Sequence, residues 1–341
     1  MAFHPISRRT VLGAALGTAF AFSAAASAQA TEITLGALRL TSHSPTYIAL
    51  ERGYFAEEGL EVELAFFESS AAMAVGVAGG DLDYGVTSIT GGLMNLAQRG
   101  VVKVIGGALA EDPAVEGAVI LASNAAYDAG LTEPSMLPGH SFGVTTAGSS
   151  FHYMLSRIAE GEGFEIGDVT MRPLQQVGAI VGAITSGQID AWAIQPSIAN
   201  RLVNEGAAHR IGAISDYDPS YQVTAIFTST EIASEEREQT EAFLRALSRG
   251  VADYNAAFVD KTASQEDVDA LIDIVHGYVN SDTPRETFAR SLTEGSMRIN
   301  EGLSLSTTSV QAQLDWMQAE ELVSSDITLE MLVDPSYVET H

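Results

Sequence analysis

The chain has 341 residues, of which 46% are hydrophobic and 18% charged, and this composition is typical of a folded globular protein that is long enough for two domains. Its 44 acidic residues against 17 basic ones give a formal net charge of −27, which excludes nucleic acid and anionic lipid as partners because an acidic surface repels both. The lack of cysteine excludes disulfides and a cysteine-linked lipid anchor.

The first thirty residues predict an export signal. Arg8 and Arg9 precede an apolar run from Val11 to Ala26, and the segment ends in the small-x-small cleavage pattern "AQA" at Ala30. The run is too short and too rich in alanine for a membrane anchor, and no later segment approaches ~20 apolar residues. We expect cleavage after Ala30, by the twin-arginine or the general secretory route, and a periplasmic protein that does not insert into the membrane.

Two similar phrases lie far apart in the chain, namely "GGDLDYGVTS" from Gly79 and "SGQIDAWAIQ" from Ser186. We call the spacing from Gly79 to Ser186 the repeat offset. At the same offset, the strand "ITLGALRL" matches "SFGVTT", and the helix "PTYIALERGYFAEEG" matches "FHYMLSRIAEGEG". The elements follow one another in the same order and register, which predicts two β-α-β-α-β units of common topology. We interpret Asp83 and Asp190, which correspond at this offset, as structural residues that hold the turn between helix and strand.

These alternating elements predict an α/β protein with two doubly wound parallel sheets, one in each of two lobes. Ligands of such sheets bind at the carboxyl ends of the strands, where helix N-termini present unpaired N–H groups. Two units that face one another therefore form a cleft. We expect lobe one at residues 31–123, lobe two at 124–220, and a return to lobe one at 221–341. The two crossings form a hinge, and the returning segment is a strand followed by a helical tail without site chemistry.

Several phrases resemble one protein family. These are "PTYIALERGYFAEEGLEVEL", "GGDLDYGVTS", "GHSFGVTTAGSSFHYML", "SGQIDAWAIQPSIANRL" and the tail "QAQLDWMQAEELV". They are similar to the periplasmic substrate-binding proteins of the nitrate, taurine and sulfonate branch of ABC importers. The resemblance implies a type II periplasmic-binding-protein fold, no catalytic activity and no cofactor. It further implies a monomer that closes on a small solute and hands it to an ABC permease in the inner membrane.

Candidate ligand-binding residues lie where strands end and helices begin. They are Ser42, His43, Ser44, Tyr47, Glu68, Ser69, Thr87 and Ser88 in the first unit, Gly148, Ser149, Ser150, Phe151, His152, Gln175, Trp192 and Gln195 in the second, and Phe227 in the returning strand. The alternative for Ser42 and Ser44 is a helix cap, and the alternative for Trp192 is a place in the core.

Opposed helix N-termini favour a negative charge, so we expect the solute to be an organic anion, a sulfonate or a carboxylate. Trp192, Phe151 and Tyr47 would permit an aromatic body.

Other kinds of site have less support in the sequence. The motif "GHSFG" at Gly139 matches a nucleophile-elbow pattern, but it follows a loop and leads into a strand, which is the reverse of the required order. The seven histidines show no pair at three- or four-residue spacing, which argues against a metal site. An enzyme of the same fold, such as a lyase or a thiamine-pyrimidine synthase, and the sensor module of a receptor are the alternatives to a transport function.

Overall fold

The computed structural model describes residues 1–2 and 30–341. Most of the predicted export signal therefore lies outside the described residues. None of the described helices combines the length and the apolar character that a membrane span requires.

Within the described residues, ten strands form two sheets of five. The strands are β1 (Thr31–Ala37), β2 (Leu60–Phe66), β3 (Tyr84–Ser88), β4 (Val102–Gly107), β5 (Val119–Ser123), β6 (Ser141–Val144), β7 (Thr170–Pro173), β8 (Ala191–Ile194), β9 (Ala208–Ala213) and β10 (Thr224–Ser229). The first sheet has the order β2-β1-β3-β10-β4 and the second has the order β7-β6-β8-β5-β9. Each sheet belongs to one lobe, so the predicted two-lobed α/β fold is confirmed.

The register of the two sheets follows the repeat offset. Leu35 pairs with Tyr84 between β1 and β3, and Phe142 pairs with Ala191 between β6 and β8. A side chain added at Gly36 would lie 2.8 Å from Met73, and one at Gly143 would lie 2.8 Å from Ile180, the residue that matches Met73. Each glycine therefore lets the helix after the second strand of its unit pack closely on the sheet.

The sheets are mixed, and not parallel throughout as predicted. β10 lies antiparallel between β3 and β4, and β5 lies antiparallel between β8 and β9. Each of these two strands follows a segment in which the chain crosses from one lobe to the other. Because the chain enters each of them from the other lobe, the strand direction is reversed relative to its neighbours.

The pairing of β5 corrects the predicted boundary between the lobes. The sequence predicts that lobe one extends to residue 123, but Val119 to Ser123 pair with β8 and β9 in the second sheet. The first crossing therefore lies between Gly107 and Val119. The second crossing is at the predicted place, since β10 joins the first sheet directly after Tyr221.

Fourteen α-helices lie in the described chain. They are α1 (Ser44–Glu51), α2 (Tyr54–Glu57), α3 (Ser70–Gly79), α4 (Gly91–Gln98), α5 (Asn124–Asp128), α6 (Ser150–Glu162), α7 (Val177–Thr185), α8 (Pro196–Asn204), α9 (Thr230–Glu235), α10 (Arg237–Tyr254), α11 (Gln265–Tyr278), α12 (Arg285–Glu294), α13 (Thr307–Ala319) and α14 (Leu329–Leu332). A π-helical turn, Asn255–Val259, continues α10.

Helices cover both faces of the first sheet. On one face α1 and α10 pack together, and Tyr84 of β3 stacks on Phe243 of α10 with ring centroids 4.1 Å apart. On the other face, Met73 of α3, Leu314 of α13 and Phe227 of β10 belong to one buried hydrophobic cluster. The tail helices thus complete the core of lobe one, as the sequence predicted, although α12 also packs against α8 of lobe two.

Candidate functional site

Two adjoining cavities lie between the lobes. The first, which we call the hinge cavity, has a volume of about 60 Å³ and includes Leu109, Ala118 and Val223 of the hinge in its lining. The second, the tail cavity, has a volume of about 230 Å³ and includes Asn280 and Ser291 of the helical tail. Leu38, Leu40 and Gln195 line both cavities, so the two spaces adjoin along these residues.

The hinge cavity contains seven of the predicted site residues. They are Ser42, His43, Thr87, Ser88, Ser150, Phe151 and Gln195. They come from the ends of β1, β3 and β8 and from the first turn of α6, which are the strand and helix ends that face the cleft. Ser88 and Gln195 occupy equivalent positions of the repeat, so the two repeated phrases end at the same cavity from opposite lobes.

His43 is buried and its imidazole is neutral. Its Nδ1 accepts a hydrogen bond from the backbone N–H of Leu38 at 3.4 Å. Burial lowers the pKa of His43 to about 3, because the charged ring would lose its hydration. The described residues that line the hinge cavity include no Asp, Glu, Lys or Arg, so this cavity carries no full charge at neutral pH.

The N-terminus of α1 has fewer free N–H groups than predicted. A 3-10 turn, Thr41–His43, precedes the helix, so the N–H of His43 bonds to the carbonyl of Leu40 and that of Ser44 to the carbonyl of Thr41. Pro45, the next residue, has no N–H group. The N-terminus of α1 therefore offers fewer hydrogen bonds to an anion than the sequence predicted.

In α6, the side chain of the N-cap residue Ser149 accepts the N–H of His152 at 3.4 Å. The Nδ1 of His152 in turn accepts the N–H of Gly148 at 3.1 Å. Burial lowers the pKa of His152 to about 4, so this imidazole is also neutral.

The lobes are in direct contact beside the cavities. Gln195 Nε2 donates to Thr41 Oγ1 at 3.0 Å, and this oxygen lies 2.7 Å from the hydroxyl of Ser197. We call these three residues the Thr41 latch. A second contact joins the N–H of Gly91 to the carbonyl of Gly148 at 3.0 Å. Gly148 matches Thr41 in the repeat, and Gly91 directly follows Thr90, which matches Ser197, so corresponding regions of the two lobes form the two contacts, one through side chains and the other through the backbone.

Other predicted site residues lie in the core. Tyr47 donates its hydroxyl to the carbonyl of Leu38, and its ring stacks on Tyr278 at 4.5 Å. Trp192 is fully buried behind Phe151, with ring centroids 5.6 Å apart. Phe227 fills the space left by Gly85, where an added side chain would come within 2.5 Å of the ring. None of these three aromatic side chains lines either cavity.

The remaining predicted residues have local contacts. Ser44 donates its hydroxyl to the carbonyl of Thr41, and Ser69 caps α3 by accepting the N–H of Ala72. Gln175 lies exposed in the loop before α7 with a φ of 68°. Gly148, Ser149 and His152 line neither cavity: the carbonyl of Gly148 bonds to lobe one, whereas Ser149 and His152 bond within the start of α6. Glu68 lies at the tail cavity.

The two repeated aspartates are structural, as the sequence predicted, but their side chains bond to a neighbouring strand and not within the turn between helix and strand. Asp83 accepts the backbone N–H of Thr34 at 2.6 Å, and Asp190 accepts that of Ser141 at 2.7 Å. Thr34 and Ser141 are also separated by the repeat offset. Each aspartate therefore fixes the third strand of its unit to the start of the first.

The tail cavity brings in residues that the sequence did not single out. They are Arg39, Thr41, Ser197, Arg201, Asn280 and Ser291. Ser291 of α12 donates to the carbonyl of Ser197, so the helical tail takes part in the site, contrary to the expectation that it has no part in it. The repeat gives no signal for Arg39 or Arg201, because their partners at the repeat offset are Thr146 and Met94.

The part of the chain that the structure describes contains no group of three His, Asp or Glu side chains arranged to hold a metal ion.

Solved structures with the same fold include several binding proteins. The alkanesulfonate-binding protein SsuA from Xanthomonas axonopodis pv. citri, bound to MOPS, is 18% identical with a TM-score of 0.71, and the match covers 92% of this chain and 100% of that one. The periplasmic aliphatic sulphonate binding protein SsuA from Escherichia coli is 16% identical with a TM-score of 0.69, covering 89% and 92%. The periplasmic nitrate-binding protein NrtA from Synechocystis PCC 6803 is 14% identical with a TM-score of 0.71, covering 91% and 87%.

These similarities confirm the periplasmic-binding-protein fold. No curated protein matches the sequence at a significant level. The model of the NMT1/THI5 like family matches residues 40–257, which is more than half of the chain, and the chain therefore belongs to this family.

Proposed function

We propose that this protein is the periplasmic solute-binding receptor of an ABC importer. In this proposal it captures a small organic anion, a sulfonate or a carboxylate, in the cleft between its lobes and delivers it to a permease in the inner membrane. It acts as a monomer, without a cofactor and without catalysis. The sulfonate- and nitrate-binding proteins that share its fold support the proposal by analogy.

The observation that carries the proposal is the pair of cavities between two lobes that are joined by two crossings of the chain. Beside the cavities the lobes meet through the Thr41 latch, the Gly91–Gly148 hydrogen bond, the bond from Ser291 to Ser197 and the packing of Trp316 on His152. Hydrogen bonds of this kind each contribute about 0.5–1.5 kcal/mol, so the lobes can separate in a hinge motion that breaks them. A ligand that bridges both lobes would stabilise the closed state by its differential affinity for that state.

The polar residues of the hinge cavity would contact the solute directly. Ser42, Thr87, Ser88 and Ser150 supply hydroxyls, and Gln195 supplies an amide that already bonds across the cleft. In this proposal His43 acts as a neutral polar group, and the buried predicted residues such as Trp192 and Tyr47 support the walls.

Binding can be tested by thermal unfolding of the mature protein against a panel of sulfonates, carboxylates and nitrate. We expect one chemical series to raise the melting temperature in proportion to the logarithm of its concentration, because a ligand that binds only the folded state adds RT ln(1 + [L]/Kd). Native mass spectrometry of gently purified protein would identify any solute that is retained.

The same samples in small-angle X-ray scattering should become more compact when the solute is added. A panel that changes neither the melting temperature nor the scattering would contradict the receptor function. Turnover of the bound solute would instead support the enzymatic alternative.

A further inference from the structure

The hinge cavity and the tail cavity differ in charge, and this difference indicates how a ligand would be oriented in the cleft. The hinge cavity has a mostly apolar lining that includes Leu109, Met154, Ile194 and Met297, and its polar groups are neutral. Its volume of about 60 Å³ leaves room for only a few non-hydrogen atoms, since about 10–15 Å³ of space open to the centre of a water-sized probe holds one water molecule. A charged group placed there would lose its hydration without gaining an opposite charge.

The lining of the tail cavity, in contrast, includes two arginines from opposite lobes. Arg39 follows β1 in lobe one, and Arg201 lies on α8 in lobe two. Basic residues are scarce in this chain, with 17 against 44 acidic ones. The presence of two arginines at one cavity therefore concentrates positive charge there. Glu68 is the one acidic residue in the lining of this cavity, and it is exposed.

Arg39 is held by neutral contacts. Its guanidinium lies 3.7 Å from the ring centroid of Phe66, and its Nη1 donates to the backbone carbonyl of Tyr278 at 2.9 Å. Among the described residues, no carboxylate lies within ion-pairing distance of it. The ring and the carbonyl orient the guanidinium group without pairing its charge to a carboxylate, and the side chain is exposed, so the group is available to an anion.

Arg201 has one ion pair, with Glu205 one helical turn away at 3.3 Å, and this carboxylate is 52% exposed. Exposed pairs at this spacing are weak, so a ligand anion would compete with Glu205 easily. The Thr41 latch lies at the tail cavity as well, since Thr41, Gln195 and Ser197 all belong to its lining.

We infer that the solute is an amphipathic organic acid bound in one orientation, with its anionic group in the tail cavity between Arg39 and Arg201 and a small neutral group in the hinge cavity. This inference rests on the proposed receptor function and adds the polarity of the ligand to it. Closure of the lobes brings the two guanidinium groups together on one anion, so charge neutralisation is coupled to closure.

The test compares acids with their neutral amides by isothermal titration calorimetry. The probes are benzenesulfonate with benzenesulfonamide, butanesulfonate with butanesulfonamide, and benzoate with benzamide. We expect at least one acid to bind, and its amide to bind at least about tenfold more weakly, because the amide lacks the charge that the guanidinium groups pair with.

The variants R39Q and R201Q should each weaken binding of that acid by about tenfold or more and leave the affinity for the amide unchanged. The control is R172Q, which removes the same charge from an exposed position on β7 outside both cavities and should change the affinity less than twofold. Unchanged melting temperatures of the ligand-free variants would show that the arginine substitutions leave the fold intact.

Equal binding of acid and amide, or an acid whose affinity is the same in the wild type, R39Q and R201Q, would overturn the inference and leave the receptor function standing. Binding of no member of any pair to the wild-type protein would count against both.

Discussion

Glu111 lies in the first crossing of the hinge and should make the stability of this protein depend on pH. The side chain is only 4% exposed. Its Oε1 accepts the N–H of Ala118 at 2.9 Å, whereas Oε2 has no hydrogen-bond partner among the described residues. The absence of a side chain at Gly117 makes room for this carboxyl, since a Cβ there would overlap Oε2.

Burial raises the pKa of Glu111 from 4.5 to about 7, the N–H of Ala118 opposes this shift, and the negative charge of Asp218 adds to it. Because the folded-state pKa lies above the unfolded one, the folded chain holds its proton more tightly between pH 4.5 and 7. The contribution of this group to stability is therefore fully present below pH 4.5 and is lost as the pH rises to 7. The shift corresponds to roughly 3 kcal/mol, at about 1.36 kcal/mol per pH unit.

The substitution E111Q keeps an acceptor for the N–H of Ala118 and removes the ionisation. We expect E111Q and the wild type to have similar free energies of unfolding at pH 4.5, and E111Q to be more stable above pH 7 by up to roughly 3 kcal/mol. Urea unfolding followed by tryptophan fluorescence from pH 4.5 to 8.5 measures this difference. E63Q, which removes a charge from an exposed site on β2, reports the effect of net charge alone. Parallel stability curves for E111Q and the wild type would refute the reasoning.

Three further predictions concern packing and closure. T41V removes the hydroxyl at the centre of the latch and should shift the lobes towards the open state by about 1–3 kcal/mol, seen as a larger radius of gyration in scattering without ligand. D83A and D190A should each lower the free energy of unfolding by about 1.5–3 kcal/mol in urea, with the larger loss for D190A because Asp190 also accepts the hydroxyl of Ser141 at 2.7 Å. G250A should destabilise the fold by at least about 1–3 kcal/mol in thermal unfolding, because the added Cβ would overlap the backbone carbonyl of Pro45 in α1. The control is G277A, whose added Cβ would have no atom within 4 Å, and this variant should be neutral or stabilising.

The fold was largely predictable because its signals are local and repeated. The order of strands and helices follows from hydrophobic periodicity, and the repeat offset aligned the two units without a shift. The role of the repeated aspartates followed from their place before a strand. The sheet joined by β5 was not predictable, since the run "VILAS" is buried on both faces and would fit a central position in either sheet.

The site was predictable at the strand ends and not beyond them. Thr87 and Ser88 reach the hinge cavity because every strand of one direction ends at the same edge. Phe227 does not, since its ring fills the space above Gly85 on a neighbouring strand. That contact depends on a pairing between residues that are far apart in the chain, which no local pattern reveals. Arg39 and Arg201 were not identified for a related reason. In a sequence, an arginine that lines a cavity cannot be distinguished from an arginine on the open surface.

The repeated and the unrepeated residues of the cleft have different roles. Residues at equivalent positions of the repeat build the frame, as in the contacts of Thr41 and Gly148 with the opposite lobe. The backbone frame of the cleft is therefore nearly two-fold symmetric, and side chains that differ between equivalent positions must distinguish the two ends of a ligand. Arg39 and Arg201 break that symmetry, and both lie at the tail cavity. The variants R39T and R201M replace each arginine by the residue type at the equivalent position of the other unit. If the arginines select the orientation of the solute, these variants should lose the preference for acid over amide while their lobes still close.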